Sequence, residues 1–395
     1  MRIAMLGWEF PPFISGGMGV HCFYLTSALS LLGVYIDFFM PSFGEKITRE
    51  ANPKLRLFEV SDSLFSPYLQ LQKNVSLYGD NIISSLSQYT ANAVSLVKKL
   101  HKQNPYNIIH AHDWLCFPAG KVLRQELGIP LVQTFHSTEF DRTSFTWDFI
   151  LSTEKEAVQT ADRIITVSHL MKKRLITNFS ADPGKIRVIY NAVAHEEFEH
   201  QMNTPSKPLP PVMRNRKKVL FLGRLTSQKG PTFFLEAAKK VLTLEPNTLF
   251  IIAGTGDLLP HLINYSISLG ISQNVLFLGY ISEEERRRIY SECDVYVLPS
   301  VSEPFGISAL EAMASGTPTI ISKNAGVCET IKYVLKVDFW DKDKMAEQIV
   351  ALLRYKPLAK TLSAFSSYEA RKFSWESAAK QTLNVYNELI QKHHS

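Results

Sequence analysis

The sequence predicts an α/β protein made of two doubly wound parallel sheets, one following the other along the chain. Three observations support this prediction. Short apolar runs of strand length alternate with helical patterns, a proline-rich stretch at 201–217 interrupts this alternation, and the same alternation then restarts. Such a pattern is typical of βαβ units, whose helices cover both faces of a parallel sheet.

The first alternation predicts a domain over residues 1–200. It begins with a buried strand in RIAMLGW, a helix at 20–32 and a second strand in VYIDFFM. Four further strands are predicted in the segments NIIHAH (107–112), PLVQTF (130–135), RIITVS (163–168) and IRVIY (186–190).

The proline-rich stretch 201–217 separates this domain from the next. It contains Pro205, Pro208, Pro210 and Pro211. Because proline disrupts regular hydrogen-bonded elements, we interpret the stretch as an exposed linker.

The restarted alternation predicts a second domain over 218–373. Its strands are expected in KVLFLGR (218–224), TLFIIAG (248–254), NVLFLGY (274–280), DVYVLPS (294–300) and TPTIIS (317–322). A last helix over 374–395, with Ser374 as its N-cap, is expected to pack back on the first domain. Ligands of doubly wound sheets bind beyond the carboxyl ends of the strands, so the expected site is a cleft between the two domains.

Composition and charge leave several partner classes open. The net charge of +6 suits an anionic small molecule, an anionic membrane surface or nucleic acid. We interpret the basic run at 214–218 as the edge of the linker, so no nucleic-acid partner is expected. The sequence does not predict the oligomeric state.

Cysteine usage and hydropathy favour a cytoplasmic protein. The 4 cysteines are widely spaced, which argues against a disulfide scaffold or a cysteine-based zinc site. The first residues, MRIAMLGWEF, have the character of a strand and not of a signal peptide. The longest apolar stretch, 24–40, contains Gly33 and Asp37 and is too broken to cross a bilayer. A location at the inner face of a membrane is left open.

The first candidate site is the glycine-rich segment GWEFPPFISGGMG (7–19), where a strand leads into a helix. Gly16 and Gly17 would let the backbone approach a ligand, and the helix N-terminus offers N–H groups to an anion. A glycine turn needed only for packing is the alternative. Cys22 occupies the third glycine position of the dinucleotide fingerprint, and no G-K-[ST] follows. NAD-dependent dehydrogenases and P-loop nucleotidases are therefore disfavoured.

The second candidate site is the loop in FLGRLTSQKG (221–230), which places Arg224 and Lys229 at the carboxyl end of a predicted strand. Arginine offers a planar fork to phosphate oxygens, and lysine adds a point charge. Two solvated loop cations are the alternative, but the flanking glycines favour phosphate binding. Gly254, at another strand end, is expected to shape the same site or to form a plain turn.

Histidines follow two strands of the first domain. His110 and His112 lie on one strand face in HAHDW, and His136 follows the next strand in TFHSTEF. We predict no metal site here, because no third ligand follows at a suitable spacing and Asp113 fits the N-cap of the next helix. The D-x-D in DKDK (341–344) is likewise better explained by helix capping.

The segment EPFGISALE (303–311) carries two glutamates at different kinds of position. The proline and glycine place Glu303 in a loop, whereas Glu311 falls inside a helix. The backbone N–H groups of 305–307 then form the anion-receptive end of that helix. This arrangement suits two contacts with one elongated ligand better than it suits an acid/base pair.

Together these segments resemble the retaining GT-B glycosyltransferases of the glycosyltransferase-4 type, with a secondary similarity to bacterial and archaeal glycogen synthases. The resemblance covers nearly the whole chain. It depends on WEFPPFISGGMG, HAHDW, TFHSTEF, GRLTSQKG, AGTGD, FLGYISEEE and above all SVSEPFGISALEAMASGTP, which contains the E-x7-E element of that family. The implied architecture is a GT-B fold, with two Rossmann-like domains facing each other across a cleft.

The resemblance implies transfer of a hexose, expected to be glucose, from a UDP- or ADP-sugar to a carbohydrate acceptor such as an α-glucan. The implied donor-binding residues are Gly16, Gly17, Arg224, Lys229, Gly254, Glu303, Phe305, Gly306, Ile307 and Glu311. Arg224 and Lys229 would hold the diphosphate, Glu303 the hexose and Glu311 the ribose. The expected catalytic residues are Arg224, Lys229, His136 and Glu303, and the acceptor side is expected at His112, Asp113 and Ser137.

No metal or other cofactor is expected, because two fixed cations can neutralise the leaving diphosphate. Departures from the family pattern at Asn191-Ala192 and Ala325-Gly326 affect turns, so they bear on the fit of donor and acceptor more than on the reaction class.

The acceptor is the least defined partner. The polar region 41–90 carries Tyr68, Tyr78 and Tyr89, which are available for stacking on a glucan. A lipid-linked or small-molecule acceptor fits nearly as well, with peripheral contact to a membrane surface. Sugar-nucleotide epimerases share the scaffold, and a non-catalytic protein that binds nucleotide sugar is the remaining alternative.

Overall fold

A computed structural model describes the chain over residues 1–12, 14, 16–42, 52–60, 80–142, 146–203 and 211–394. The chain forms two compact units, one of Met1–Asn191 with Trp375–Ser395 and one of Ala192–Ser374. Each unit contains a parallel sheet with helices, which confirms the predicted pair of doubly wound α/β domains. No helix in the described residues is both long and apolar enough to cross a membrane.

The described part of the first unit contains a seven-stranded parallel sheet. Its strands are β1 (Arg2–Leu6), β2 (Tyr35–Met40), β3 (Leu55–Glu59), β4 (Ile108–His112), β5 (Leu131–Phe135), β6 (Arg163–Thr166) and β7 (Ile186–Val188). The helices between them are α1 (Gly17–Leu31), α2 (Asp80–Gln103), α3 (Phe117–Leu127), α4 (Glu139–Arg142), α5 (Asp148–Thr160) and α6 (His169–Phe179). The strand order is β3-β2-β1-β4-β5-β6-β7, so the winding reverses between β1 and β4. Ligands of such sheets bind beyond the strand ends at this reversal.

The described parts of the region 41–90 include regular elements. These are β3, which pairs with β2, and the start of α2. Tyr89 on α2 is buried, and its hydroxyl lies within hydrogen-bonding distance of two backbone carbonyl oxygens. Tyr89 is therefore a core residue and cannot stack on a sugar, contrary to the prediction. Tyr68 and Tyr78 lie outside the described residues.

The second unit contains a six-stranded parallel sheet in its described part. The unit's helices are α7 (His195–Asn203), α8 (Pro231–Leu244), α9 (Leu259–Ser268), α10 (Glu283–Glu292), α11 (Ile307–Ala314), α12 (Lys342–Arg354) and α13 (Lys356–Ala370). Its strands are β8 (Lys217–Leu222), β9 (Thr248–Ala253), β10 (Val275–Gly279), β11 (Val295–Leu298), β12 (Thr319–Ser322) and β13 (Leu335–Val337). The order β10-β9-β8-β11-β12-β13 reverses between β8 and β11. The loops that carry the predicted site residues Arg224, Lys229 and Glu303 follow those two strands.

The boundary between the units lies at Asn191 and not at the predicted residue 200. Helix α7 belongs to the second unit, because buried Phe198 packs edge-on against Tyr290 of α10. An amphipathic pattern alone does not specify which sheet the helix covers, which explains the difference.

The predicted linker 201–217 is irregular only in part. Helix α7 continues to Asn203, Pro211–Met213 forms a 3₁₀ turn, and β8 begins at Lys217. Residues 204–210 lie outside the described part of the chain.

The last helix, α14 (Trp375–His394), returns to the first unit. The Trp375 ring stacks on Tyr24 of α1 with centroids 5.6 Å apart and an interplanar angle of 11°. The Tyr386 hydroxyl lies 2.6 Å from Nδ1 of His110, on β4. The first unit is therefore built from both ends of the chain.

Candidate active site

The loop after β8 carries the two cations that were predicted to bind a diphosphate. Arg224 follows β8, and Lys229 ends a 3₁₀ turn (Ser227–Lys229) that leads through Gly230 into α8. Gly230 has a φ of +68°, and a Cβ atom there would lie 2.2 Å from the carbonyl oxygen of Pro299, just beyond β11. Only glycine permits this close packing. The loop therefore lies at the carboxyl edge of the sheet, as expected.

Gly254 packs against the same loop from the neighbouring strand. It follows β9 with a φ of +132°, and a Cβ atom there would lie 2.0 Å from the carbonyl oxygen of Gly223. Gly254 therefore has a structural role, because it lets the end of β9 pack against the loop after β8. A contact between Gly254 and a ligand stays a prediction.

Lys229 and Glu303 form an ion pair at this edge. Lys229 Nζ donates to Glu303 Oε2 at 2.6 Å, and the Ser300 hydroxyl donates to the same oxygen at 3.1 Å. The side chains of Lys229 and Glu303 are 17% and 8% exposed. Arg224 lies in the same loop, with its Nη2 3.5 Å from Gln228 Oε1. An anion that enters this edge would compete with Glu303 for the lysine.

The segment around Glu303 is held in place by the loop after β12. The Gly326 N–H donates to the Glu303 carbonyl at 2.9 Å, and the Val327 N–H donates to the Phe305 carbonyl at 2.8 Å. Phe305 is itself buried. These backbone hydrogen bonds therefore fix the position of the main chain at Glu303, from which its side chain extends to Lys229.

The N-terminus of α11 follows this segment directly. Gly306, with a φ of +111°, is the N-cap, and Ile307 is the first helical residue. The first N–H groups of a helix lack acceptors within the helix, so they can meet an anion. Glu303 thus precedes the helix and Glu311 lies within it, as the sequence predicted.

Glu311 is held by two residues of α10 that the sequence analysis did not single out. Arg286 Nη1 lies 2.9 Å from Glu311 Oε1, and the Tyr290 hydroxyl donates to Oε2 at 3.0 Å. Burial raises the pKa of Glu311, and the charge of Arg286 opposes this shift. A signal existed in the sequence, since an arginine and a tyrosine four residues apart share one helix face.

Histidines of the first unit gather at the carboxyl ends of β4 and β5. His112 ends β4, and its Nδ1 lies 3.1 Å from Nε2 of His136, which follows β5. His21, on α1, packs edge-on against His136 with ring centroids 4.4 Å apart. The ring of His110 lies 4.2 Å from that of His112, and both of its nitrogens bond to hydroxyl groups. The sequence analysis missed His21, a lone histidine in an apolar helix.

Burial favours the neutral form of these imidazoles. It lowers the pKa of His136 to about 3. It also lowers the pKa of His21, His110 and His112 well below the usual range, and neighbouring histidines act in the same direction. Asn191 opposes the shift at His21, because its Oδ1 lies 2.7 Å from the Nδ1 atom. The cluster is therefore uncharged at neutral pH.

Asp113 does not cap the next helix through its side chain, contrary to the prediction. Its Oδ1 accepts the backbone N–H of His136 at 2.7 Å and that of Ser137 at 3.4 Å. The N-cap of α3 is Cys116. Burial raises the pKa of Asp113 to about 6, while Arg142 and the two backbone donors lower it. The carboxyl group of Asp113 therefore fixes the loop that presents His136.

The predicted acceptor-side residues differ in their exposure. His112 and Asp113 are 0% and 3% exposed, so they support His136 from within the unit and do not themselves offer a surface to an acceptor. Ser137 is half-buried, and its Oγ accepts a hydrogen bond from Arg142 Nη1 at 2.7 Å.

The glycine-rich segment is described only in part, because residues 13 and 15 lie outside the described chain. Gly16 precedes α1 in an extended conformation, and a Cβ atom there would meet no described atom within 4 Å. Gly17 begins α1 and is exposed. Contacts between these two glycines and a ligand stay a prediction.

The D-x-D sequence near the end of the second unit serves the helix that follows it. Asp341 Oδ1 accepts the Lys344 N–H at 2.9 Å and so caps α12. Asp343 pairs with Lys240 of α8 at 2.6 Å. Helix capping explains this motif, as predicted.

Two doubly wound units, one carrying a basic loop and an E-x7-E segment at its strand ends, define a protein of the GT-B class. Residues 15–197 match the Glycosyltransferase Family 4 profile, and residues 210–368 match the profile of Glycosyl transferases group 1. An uncharacterized glycosyltransferase of Methanocaldococcus jannaschii is 30% identical, and the match covers 98% of each chain. The chain therefore belongs to the glycosyltransferases that combine these two domains.

Other similar proteins have named activities. The glycogen synthase of Mycobacterium tuberculosis is 28% identical, over 84% of this chain and 80% of that protein. The D-inositol 3-phosphate glycosyltransferase of Corynebacterium diphtheriae is also 28% identical, over 98% of this chain and 95% of that protein.

Solved structures share the fold of the whole chain. Sucrose-phosphate synthase from Thermosynechococcus elongatus superimposes with a TM-score of 0.79 at 22% identity, over 99% of both chains. Anabaena HepE, solved with UDP-glucose, has a TM-score of 0.72 at 17% identity, over 98% of this chain and 100% of that chain. The catalytic domain of Arabidopsis thaliana starch synthase IV, solved with ADP and acarbose, has a TM-score of 0.73 at 17% identity, over 99% of both.

Proposed function

We propose that this glycosyltransferase moves glucose from a nucleotide-diphosphate glucose to a carbohydrate acceptor, with an α-glucan as the first acceptor to test. Transfer retains the anomeric configuration and needs no metal ion. Similar structures contain UDP-glucose in one case and ADP in another, so both UDP- and ADP-glucose are candidate donors. Lipid-linked and small phosphorylated acceptors are the alternatives to the glucan.

The Lys229–Glu303 ion pair carries this proposal. A diphosphate supplies the negative charge that Lys229 otherwise takes from Glu303, at a distance of 2.6 Å. The displaced carboxylate is then able to accept hydrogen bonds from sugar hydroxyl groups. One binding event therefore satisfies the lysine and frees Glu303 for the hexose.

The second unit stabilises the leaving group electrostatically. Negative charge grows on the diphosphate as the bond to the anomeric carbon breaks. Arg224, Lys229 and the first N–H groups of α11, beginning at Ile307, meet this charge without reorganising. Because these groups are fixed cations and dipoles, a divalent metal is not required for charge neutralisation.

The surroundings of the two glutamates support retention by same-face attack over a double displacement through a covalent intermediate. Glu303 is paired with Lys229, and Glu311 is paired with Arg286 deep beside α10. We assign neither as a covalent nucleophile. The acceptor hydroxyl attacks from the face that the diphosphate leaves, and the departing phosphate oxygen accepts its proton.

The first unit contributes His136, held by Asp113 and left neutral by burial. A neutral imidazole can hydrogen-bond to the reacting sugar without adding charge to the oxocarbenium-like transition state. The N-terminus of α1, with Gly16 and Gly17, is assigned to the same ligand.

The experiment incubates EDTA-treated protein with UDP- or ADP-glucose, each with glycogen, sugar phosphates, inositol phosphate or a polyprenyl phosphate. We expect donor consumption only when an acceptor is present, an α-configured product by NMR, and no loss of rate in EDTA. Conversion of the donor alone would indicate an epimerase. Donor binding by thermal shift without turnover of any pair would indicate a non-catalytic nucleotide-sugar-binding protein.

A further inference from the structure

Three histidines of the first unit form a group that could hold a transition-metal ion. Ring nitrogens of His21, His112 and His136 all lie within 4.8 Å of one another. The three residues come from α1, from the end of β4 and from the loop after β5. The fold therefore assembles a cluster that no sequence spacing predicted.

A nitrogen of this cluster lacks the partner that buried polar atoms normally have. The Nε2 atom of His21 is buried and has no hydrogen-bond partner within the described residues. An unpartnered buried nitrogen is costly and calls for an explanation. His110 gives the contrast, because its nitrogens lie 2.6 Å from the Tyr386 hydroxyl and 2.7 Å from the Thr134 hydroxyl.

Asn191 prepares His21 to act as a ligand. Its Oδ1 lies 2.7 Å from His21 Nδ1, and a carbonyl oxygen can only accept, so Nδ1 carries the proton. Nε2 then keeps its lone pair. Metal-binding histidines are oriented in this way by an acceptor at the other ring nitrogen. The Trp375 ring packs edge-on against His21, with centroids 5.6 Å apart, and limits its rotation.

We propose that His21, His112 and His136 bind one divalent transition-metal ion of intermediate hardness, such as Zn²⁺. Neutral imidazole suits such ions, whereas Mg²⁺ and Ca²⁺ prefer oxygen ligands. A tetrahedral zinc ion with bonds of about 2.0–2.1 Å places its ligand atoms about 3.3 Å apart. Nδ1 of His112 and Nε2 of His136 lie 3.1 Å apart, and the ligand nitrogens of all three residues lie within 4.8 Å of one another, so a shift of His21 toward the other two completes the set. His136 is only partly buried, so the ion would enter from its exposed side.

Bound metal inhibits transfer, because it occupies the imidazole of His136. This consequence depends on the proposed function, which assigns His136 to the reacting sugar, whereas metal binding itself does not. The bound ion is thus an inhibitor and has no part in the metal-independent reaction.

The binding test titrates EDTA-treated, desalted protein with Zn²⁺ against a chromophoric chelator, and with Co²⁺ followed by visible absorption. We expect one Zn²⁺ per chain, Co²⁺ bands of a four-coordinate site and no competition from Mg²⁺. His21→Gln lowers Zn²⁺ affinity at least about 10-fold, and Asn191→Ala lowers it about 10-fold. His261→Gln, at an exposed histidine of α9, leaves the affinity unchanged.

Circular dichroism confirms that each variant is folded, and Asn191→Ala carries the comparison if His21→Gln does not fold. Absence of stoichiometric Zn²⁺ binding overturns the site. So does a folded His21→Gln, or in its place a folded Asn191→Ala, that binds as tightly as the unsubstituted protein.

The inhibition test compares transfer rates with and without one equivalent of Zn²⁺ for each variant. We expect a loss of at least about 10-fold in the unsubstituted protein and a smaller loss in His21→Gln. An unchanged rate with the site filled overturns the inhibitory role. If the metal-free protein turns over no donor–acceptor pair, the proposed function fails, while the Zn²⁺ titration still decides the metal site.

Discussion

At the residue scale, Lys229 is the proposed diphosphate-binding cation whose Nζ is held by Glu303 at the strand edge. We expect Lys229→Ala and Arg224→Ala each to lower kcat by about 100-fold or more, since each removes charge that stabilises the leaving diphosphate. Steady-state kinetics with saturating donor measure the effect. Lys239→Ala, at an exposed position of α8, is the matched control and should leave kcat unchanged. Near-normal kcat in both active-site variants would contradict the assignment.

The two glutamates should separate donor binding from turnover. Glu311→Gln removes one of the two carboxylates that Arg286 contacts, the other being Glu283, and disturbs the proposed ribose contact, so the donor KM should rise more than kcat falls. Glu303→Gln should mainly lower kcat, because its proposed partner is the transferred hexose. Kinetics together with calorimetric donor Kd values measure the split, and Glu347→Gln on the exposed face of α12 is the control. The reverse pattern would show that the two roles are exchanged.

At the element scale, the turn between β8 and α8 depends on the absence of a side chain at Gly230. Gly230→Ala adds a Cβ atom 2.2 Å from the Pro299 carbonyl, besides straining a residue with positive φ. Gly270→Ala is a matched control, because φ is +73° there but no described atom lies within 4 Å. We expect about 1–2 kcal/mol of destabilisation from strain at Gly270 and about 1–3 kcal/mol more at Gly230. Urea unfolding measures the free energy of unfolding of both variants. Equal losses of stability would mean that the turn can shift to accommodate the added Cβ atom.

The strands could be predicted wherever burial on both faces left a continuous apolar run, as in β9. Strand β3 was missed because it is an edge strand in which only Leu55 is buried, so its sequence, LRLFE, lacks that signal. The assignment of α7 to the second unit was missed because an amphipathic pattern predicts that one helix face is buried but not which sheet it packs against. Local signals therefore predicted the elements better than their assignment to a unit.

The residues of the candidate site likewise fall into those that the sequence predicted and those that it did not. Arg224, Lys229 and Glu303 could be predicted because all parallel strands of a sheet end at one edge, so the residues after them converge. His21 could not, because it projects from a helix whose rotation is set by packing. The helix face that Arg286 shares with Tyr290 did not by itself indicate Glu311 as their partner. The structure supplies these helix-borne partners, and they change the interpretation of Glu311 and of the histidine cluster.

At the scale of the whole molecule, the last helix of the chain is part of the first unit. It builds β1 to β7, passes through the second unit and returns as α14. Trp375 and Tyr386 then contact α1 and β4, the elements that carry His21 and His112. The histidine cluster therefore depends on residues at the far end of the sequence.

This closure can be tested by removing one hydroxyl group. Tyr386→Phe leaves Nδ1 of buried His110 without its partner at 2.6 Å, which should destabilise the protein by about 1–3 kcal/mol. Hydrogen exchange should show lost protection in α1 and β4, and unchanged protection in the sheet of the second unit. Tyr355→Phe is the matched control, because Tyr355 is 63% exposed and its change should stay within about 0.5 kcal/mol. Equal stability of the two variants, or a loss of protection confined to the second unit, would show that α14 is not needed to complete the first.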